Sequence, residues 1–392
     1  MTIYLDHNAG APLRPLARDV ISRLASAAVE GNPSSVHRSG QRARRLLENA
    51  RAEVASLIGA PPRSVVFTSG GTESNNLAIF GTVNSTSRHR IVTSTIEHSS
   101  ILAPINELQR RGFEVLCLPV DCHGRLMVTD FLKVIDEDTA LVTLAMANSE
   151  VGAIQDLRPF AEAARRAGAI LHVDAAQAAG RIPVSVEDSD CDLMTISAHK
   201  LGGPPGIGAL YVRPGRQLAA QVLGGPQEAG LRAGTPNLYG AVSFGAAALE
   251  ANAKMDEEGQ RVLALARRLL GRLEESISGL RLNGPRDEGR LGNTLNLTFP
   301  AVLGETLLIA LDLEGIEISM GSACAAGAVE PSHVLLAMGR NALEARSSVR
   351  LSLGWSTTLE EIEQAAEVIP RVWRRIAAAE TPFRHSPAEP RL

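Results

Sequence analysis

The chain carries 39 Lys and Arg residues, and only Lys133, Lys200 and Lys254 are lysine. Surface basic positions in this sequence therefore default to arginine. A lysine that persists in such a background suits a place where the chemistry needs an amine able to lose its proton, which a guanidinium does not do. Lys133 and Lys254 stand among polar positions of helical spacing. Lys200 does not: it follows the apolar run Asp192 to Ile196 and Ser197-Ala198-His199, and a glycine-rich loop, Gly202-Gly203-Pro204-Pro205-Gly206, comes after it. A loop lysine taken alone reads as a surface cation. Its rarity and its place at the end of a strand-like run point instead to an amine kept for covalent work.

Two further segments supply what such an amine would work with. Thr68-Ser69-Gly70-Gly71-Thr72-Glu73-Ser74-Asn75-Asn76 follows a strand-like run and opens a helix, so its backbone N–H groups and the helix dipole can hold a phosphate. By itself the segment reads equally as a glycine turn with a Ser/Thr cap. It has no Walker lysine and no G-x-G-x-x-G after a strand, which disfavours nucleoside triphosphate and dinucleotide ligands. In Ala169-Ile170-Leu171-His172-Val173-Asp174-Ala175-Ala176-Gln177 a carboxylate ends a run apolar enough to be buried. Asp174 is there either as a helix N-cap or as the partner of a buried cation such as a protonated pyridine nitrogen. An anion cradle, a buried carboxylate and a strand-end amine together meet the needs of pyridoxal 5′-phosphate.

The fourth segment is Ser319-Met320-Gly321-Ser322-Ala323-Cys324-Ala325-Ala326-Gly327-Ala328, a thiol among small residues. Cys324 lacks apolar neighbours to bury it, as suits a nucleophile on an exposed loop that reaches into a site and out again. Cys117, Cys122 and Cys191 read as small buried hydrophobes. The four cysteines form no C-x-x-C pair and the nine histidines no H-E-x-x-H pattern, so no metal is expected.

These residues need elements to position them. Strand-like runs at 64–68, 90–95, 113–120, 140–145, 169–173, 192–196 and 209–212 alternate with helix-length segments such as 40–58, 101–111 and 158–167, which predicts α/β organisation with a mostly parallel sheet and a site at its strand ends. From Asn252 to Ser278 the spacing predicts a long helix bridging to a smaller domain, with strands at 293–299 and 347–352 and a last helix from Leu359 to about Ala379. The expected division is a large domain over 16–257, a small domain of 1–15 with 258–378, and a disordered tail over 379–392. With 45% apolar and 21% charged residues and a net charge of −4, the chain has no basic stripe for nucleic acid. No apolar run approaches the roughly 18 residues of a membrane span and no secretory leader opens the sequence, so the expected location is the cytoplasm.

Taken together these motifs resemble the cysteine desulfurases, in the class V branch of the fold-type I pyridoxal-phosphate enzymes. The resemblance runs nearly end to end, through Tyr4-Leu5-Asp6, Gly31 to Ser35, Ser69 to Asn76, Glu97-His98, His172 to Gln177, Ser197 to Lys200, Arg232 to Thr235, Gly321 to Cys324, Glu330 to Leu335 and Arg350 to Gly354. It implies a large domain with a mostly parallel seven-stranded sheet and a smaller α/β C-terminal domain. It implies that Lys200 forms the Schiff base with the cofactor, that His98 stacks on the cofactor ring and helps proton transfer, that Asp174 pairs with the ring nitrogen, and that Gln177 bonds the ring's 3′ oxygen. Gly71, Thr72, Ser197 and His199 would hold the phosphate, with Thr235 reaching across from the second subunit of a homodimer. Asn32 and Arg350 would fix the carboxylate of L-cysteine. Cys324 would take its sulfur as a persulfide and release alanine, passing the sulfur to a protein acceptor such as an iron–sulfur scaffold or into tRNA or cofactor thiolation. A selenocysteine lyase, another β-lyase or an aminotransferase is the alternative. The chain departs from the family pattern at Ser149, where an Asn is usual near the ring, at Pro205 and at Pro226.

Overall fold

The computed structural model describes residues 2–26, 31–286, 288–321 and 330–380. In chain order the strands are β1 (Ile3–Tyr4), β2 (Val65–Thr68), β3 (Arg90–Ser94), β4 (Glu114–Leu118), β5 (Thr139–Ala145), β6 (Ile170–Asp174), β7 (Leu193–Ser197), β8 (Gly208–Val212), β9 (Arg281–Asn283), β10 (Thr294–Thr298), β11 (Ile316–Glu317) and β12 (Ser348–Ser352). The helices that matter below are α1 (Pro15–Ser26), α2 (Arg38–Leu57), α3 (Gly71–Val83), α4 (Ser99–Arg110), α5 (Val128–Phe131), α6 (Arg158–Ala167) and α7 (Leu238–Ser276).

Strands β2 to β8 form one seven-stranded sheet in the order β2-β8-β7-β6-β5-β3-β4. Strand β8 runs antiparallel to both of its neighbours, and every other pairing is parallel. The central strands β5 and β6 are buried on both faces, which is why they read as mostly apolar runs rather than as alternating ones. Strand β4 is an edge strand, and this corrects one expectation: Cys117 on β4 and Cys122 in the turn after it are exposed, and of the three cysteines read as buried only Cys191 is so. Edge position, which residue type alone does not reveal, decides the matter.

Among the described residues two large apolar cores result, with three smaller clusters beside them. The larger packs helices such as α2 and α6 on the seven-stranded sheet; the smaller surrounds the antiparallel sheet β12-β10-β9 and the pair β1-β11. Helix α7 serves both, with Leu238 to Ala251 in the larger core and Val262 to Leu273 in the smaller. It starts 14 residues before the Asn252 expected from the sequence. Its first turns, Leu238 to Leu249, are nearly all small or apolar and so lack a polar stripe to betray the period. They press against α2, where a Cβ on Gly245 would stand 2.8 Å from the Ala50 Cα.

One buried ion pair fastens the strand that feeds the glycine turn. Arg51 of α2 donates to both carboxylate oxygens of Glu228 at 2.6 and 2.8 Å and to Val65 O at 2.8 Å, while the Phe67 N–H donates to Glu228 Oε2 at 2.8 Å. The Glu228 side chain is only 4% exposed. Removing one partner of such a pair strands a buried charge, so Arg51→Met is expected to cost about 3–5 kcal/mol. Urea unfolding of parent and variant checks this, and an unchanged midpoint would refute it.

Candidate active site

The parallel strands β2, β3, β5, β6 and β7 all end at one cavity of about 550 Å³. Its lining includes Gly71, Thr72, His98, Ser149, Asp174, Gln177, Ser197, His199, Lys200 and Arg350. Strand ends converge in this way because every parallel strand points its carboxyl end at the same edge of the sheet.

The turn after β2 supplies the anion-binding end. Gly70 has φ 154°, and nothing lies within 4 Å of where its Cβ would be, so the backbone conformation rather than space asks for glycine. Gly70 caps α3 with no side-chain bond, while the Glu73 carboxylate reaches back to the Ser69 N–H at 2.8 Å. Gly71 and Thr72, whose N–H groups begin α3, line the cavity beside Ser197. A Cβ on Gly71 would stand 3.5 Å from the Ser197 Cβ and fill part of that cradle. Ser197 Oγ and His199 Nδ1 are 2.9 Å apart. Burial, with Lys200 and Arg181 nearby, lowers the His199 pKa to about 4, so its imidazole is neutral and the cradle's polarity comes from N–H and O–H dipoles.

Asp174 closes β6 and is 8% exposed. Its Oδ2 accepts from Asn75 Nδ2 at 2.8 Å and its Oδ1 from the Ala176 N–H at 2.9 Å. The second Asn75 amide hydrogen goes to Ser100 Oγ at 2.8 Å, and Ser100 Oγ lies 2.8 Å from His98 Nδ1. Because Nδ1 also accepts from the Ser100 N–H at 3.1 Å, the neutral His98 ring carries its proton on Nε2. Burial holds His98 below its ordinary pKa and outweighs the opposing pull of Asp174. The Asn75 Oδ1 is buried and has no partner.

Lys200 donates to the carbonyls of Asn8 at 2.6 Å and Ala9 at 2.9 Å. Burial, then the Arg181 and Arg350 guanidiniums, lowers its pKa to about 8. Gln177 gives its Nε2 to Asn8 O at 3.1 Å, and its Oε1 accepts from Arg181. Arg350 projects from β12 of the smaller core and is 5% exposed; it donates to Ser149 O at 3.2 Å and to Asp6 Oδ1 at 2.7 Å, and its Nε is buried without a partner.

Asn32 and Thr235 do not line this cavity. Both are exposed, and the Asn32 Oδ1 accepts from the Ser34 N–H at 2.9 Å. Cys324 lies outside the described residues. Lys133 and Lys254 are ordinary surface cations, paired with Asp130 and Glu250. Three residues were given no role by the reading of the sequence. Asn75 is one, although it lies one helical turn beyond Gly71 on the helix that opens the cradle. Asn8 is another: it donates to Ser149 O and Thr294 Oγ1, and Asn293 donates to its side chain. Glu97 is the third, buried with its carboxylate on Ser94 Oγ and the Ala145 N–H and its pKa pushed up to about 8 by burial.

The donor set fits pyridoxal 5′-phosphate. N–H and O–H dipoles at an uncapped helix start suit its phosphate, a buried carboxylate with only two hydrogen bonds suits its ring nitrogen, and an amine poised near neutrality suits its aldehyde.

Comparison with known proteins agrees. The aminotransferase class-V family model matches residues 3–365. A cysteine desulfurase IscS of Dictyoglomus turgidum is 40% identical over 376 residues, which is 95% of either chain. The IscS of Aeromonas hydrophila is 42% identical over 376 residues, covering 94% of this chain and 92% of its own. Among solved structures, a NifS-like protein superposes with a TM-score of 0.89 at 32% identity, over 96% of this chain and 100% of its own. SspA in complex with cysteine gives 0.79 at 31% identity, over 90% of this chain and 99% of its own.

The depressed amine makes a prediction for the cofactor-free protein. Reductive methylation of Lys200 should half-develop near pH 8, whereas Lys254, whose pKa Glu250 raises, should react only at higher pH. Peptide mass spectrometry across a pH series reads both sites. A Lys200 midpoint at or above that of Lys254 would contradict the burial argument.

Proposed function

The chain belongs to the class-V aminotransferases and, within them, to the cysteine desulfurases, and from that premise we propose that it converts L-cysteine to L-alanine and leaves the sulfur as a persulfide on Cys324. The observation that carries the reading is the meeting of Asp174, Lys200, the α3 start and Arg350 in one cavity. Pyridoxal 5′-phosphate bound there supplies an electron sink that weakens the bonds at the Cα and Cβ of an amino acid. Gly71, Thr72, Ser197 and His199 would hold its phosphate, Asp174 its ring nitrogen and Gln177 its 3′ oxygen.

The chain's own groups do the rest. Arg350, in the wall of the cavity, would hold the substrate carboxylate, where a guanidinium's forked donors suit two oxygens. Lys200, near neutrality, takes the proton from the substrate Cα. His98, with its proton on Nε2, would stack on the cofactor ring and pass a proton where the amine cannot reach. The Cys324 thiolate would attack the sulfur of the bound cysteine: an S–S bond forms at Cys324, the carbon–sulfur bond breaks, the departing Cβ keeps the electron pair and gains a proton, and Lys200 returns the proton to Cα, which makes alanine.

Asn32 and Thr235, exposed in the single chain, would reach the cavity of a second copy in a homodimer. The sulfur would pass to a protein acceptor such as an iron–sulfur scaffold or toward tRNA or cofactor thiolation. A reducing compartment, the cytoplasm, suits a thiol that must be regenerated, and no helix among the described residues is long and apolar enough to cross a membrane.

The direct test is alanine and sulfide release from L-cysteine with a thiol reductant, expected one to one. Lys200→Ala should reduce the rate by roughly 10²–10⁴-fold, and Cys324→Ser should bind cysteine yet release no alanine. Added sulfur on Cys117 or Cys122 but none on Cys324, read by mass spectrometry, would overturn the assignment in favour of a β-lyase; pyruvate in place of alanine would do the same.

Ser149 gives a second prediction. Asn148 cannot stand in for the missing asparagine, since its Nδ2 goes to Ile96 O at 3.0 Å and its Oδ1 accepts from Glu150 N and Val151 N at 2.9 and 3.0 Å. A longer amide donor at 149 would favour the ionised form of the ring's 3′ oxygen. Ser149→Asn should therefore lower the midpoint of the bound cofactor's pH-dependent visible spectrum without abolishing activity. An unchanged or higher midpoint would show that Gln177 or water already fills the place.

A further inference from the structure

A second cavity, of about 370 Å³, shares only Lys200 with the lining of the first. Its walls come from both cores, Leu201 and Leu291 from the larger and Val262 and Leu353 from the smaller. Among the described residues five arginines face it against two carboxylates, Glu258 and Glu288. Three of the arginines are committed elsewhere. Arg14 holds Glu258 in a two-point pair at 2.9 and 2.7 Å, Arg181 serves Gln177 and the carbonyls of His7 and Lys200, and Arg286 pairs with Glu274.

Arg267 and Arg290 remain. Arg267 is exposed at the rim and makes no ion pair among the described residues. Arg290 is only 9% exposed; one donor reaches Thr294 O at 2.6 Å, and its Nε is buried with no partner. Burial and the like charges of Arg286 and Arg267 push its pKa down, which is the mark of a guanidinium without a counter-ion. Buried charge without a partner is costly, and an anion entering the cavity would relieve it. Beside these charges lie Met255, Leu263 and Trp355, an apolar wall that inorganic ions would leave in contact with water.

We propose that this second cavity binds a small organic acid, a carboxylate or phosphate on an aromatic or branched apolar body, with Arg290 and Arg267 holding the acid group and the Met255–Trp355 wall holding the body. The acid would span both cores behind the Lys200 backbone. The proposal does not depend on the reading of the first cavity.

Calorimetric titration of the cofactor-loaded protein with 1-naphthoate and with 1-naphthyl phosphate tests it; the better ligand identifies the acid group. One equivalent per chain is expected, weakening as salt rises. Arg290→Gln should weaken binding at least tenfold, and Arg267→Gln, which alters only an exposed residue, keeps the test valid if the first variant fails to fold. Saturating L-alanine should leave the affinity unchanged. The proposal is overturned by the absence of saturable binding, by equal affinity for neutral 1-naphthalenemethanol, by inorganic phosphate binding as tightly as the aromatic acids, by undiminished binding to Arg267→Gln, or by competition from L-alanine, which would place the acid in the first cavity.

Discussion

Taking an ammonium out of water favours its neutral form, and the burial of Lys200 is the constraint around which the cavity is arranged. Its Nζ meets two backbone carbonyls, Asn8 O and Ala9 O, rather than a carboxylate. Carbonyl dipoles can accept from a neutral amine as well as from a cation, and they favour the charged form less than a carboxylate would. Arg181 and Arg350 add repulsion, while Asp6 and Asp174 oppose it and lose, leaving the pKa at about 8. The short N-terminal segment is thereby part of the site. Asn8 must present its carbonyl to Lys200 and Gln177 while its amide is held by Ser149 and Thr294.

The other charged end depends on the same economy of partners. Asp174 keeps a carboxylate in an enclosed place with two donors, Asn75 Nδ2 and the Ala176 N–H. Asn75 then relays through Ser100 to His98 and fixes which ring nitrogen is bare. The ring's orientation and the carboxylate's are thus set by a single amide on α3. The helix whose first turn forms the anion cradle also aligns the groups at the far side of the cavity, so cradle and carboxylate keep a fixed separation. A rigid spacer of this kind suits a ligand with a phosphate at one end and a basic nitrogen at the other.

Lys200 and Asp174 were legible in the sequence because their local settings are abnormal, a lone lysine among arginines and an acid closing an apolar run. The strand and helix alternation was legible too, since the buried parallel strands are mostly apolar, with few polar positions such as Thr143 and His172 to blur them. Asn75 was not, because a polar residue within a helix reads as a solvent-facing one until the helix is known to be enclosed. Asn8 was hidden by range: Thr294 and Asn293, its partners across the cores, lie more than 280 residues away. The antiparallel insertion of β8 between β2 and β7, the exposure of Cys117 on an edge strand, and the early start of α7 are likewise properties of neighbours rather than of local pattern.

Arg350 ties these levels together. It belongs to the smaller core, yet its donors reach Ser149 O beyond the end of β5 and Asp6 before Asn8. Its position relative to Lys200 is therefore set by how the two cores meet. On one side they share α7, whose 39 residues run unbroken from Leu238 in one core to Leu273 in the other, and bending it would break backbone hydrogen bonds. On the other side the bonds that Arg350 and Asn8 donate to Ser149 O close the junction. With the cores restrained at both edges, Arg350 and Lys200 line the same cavity in a fixed relation. An α-amino acid, which carries its carboxylate one carbon from its nitrogen, is the kind of molecule that such a fixed pair of groups can select.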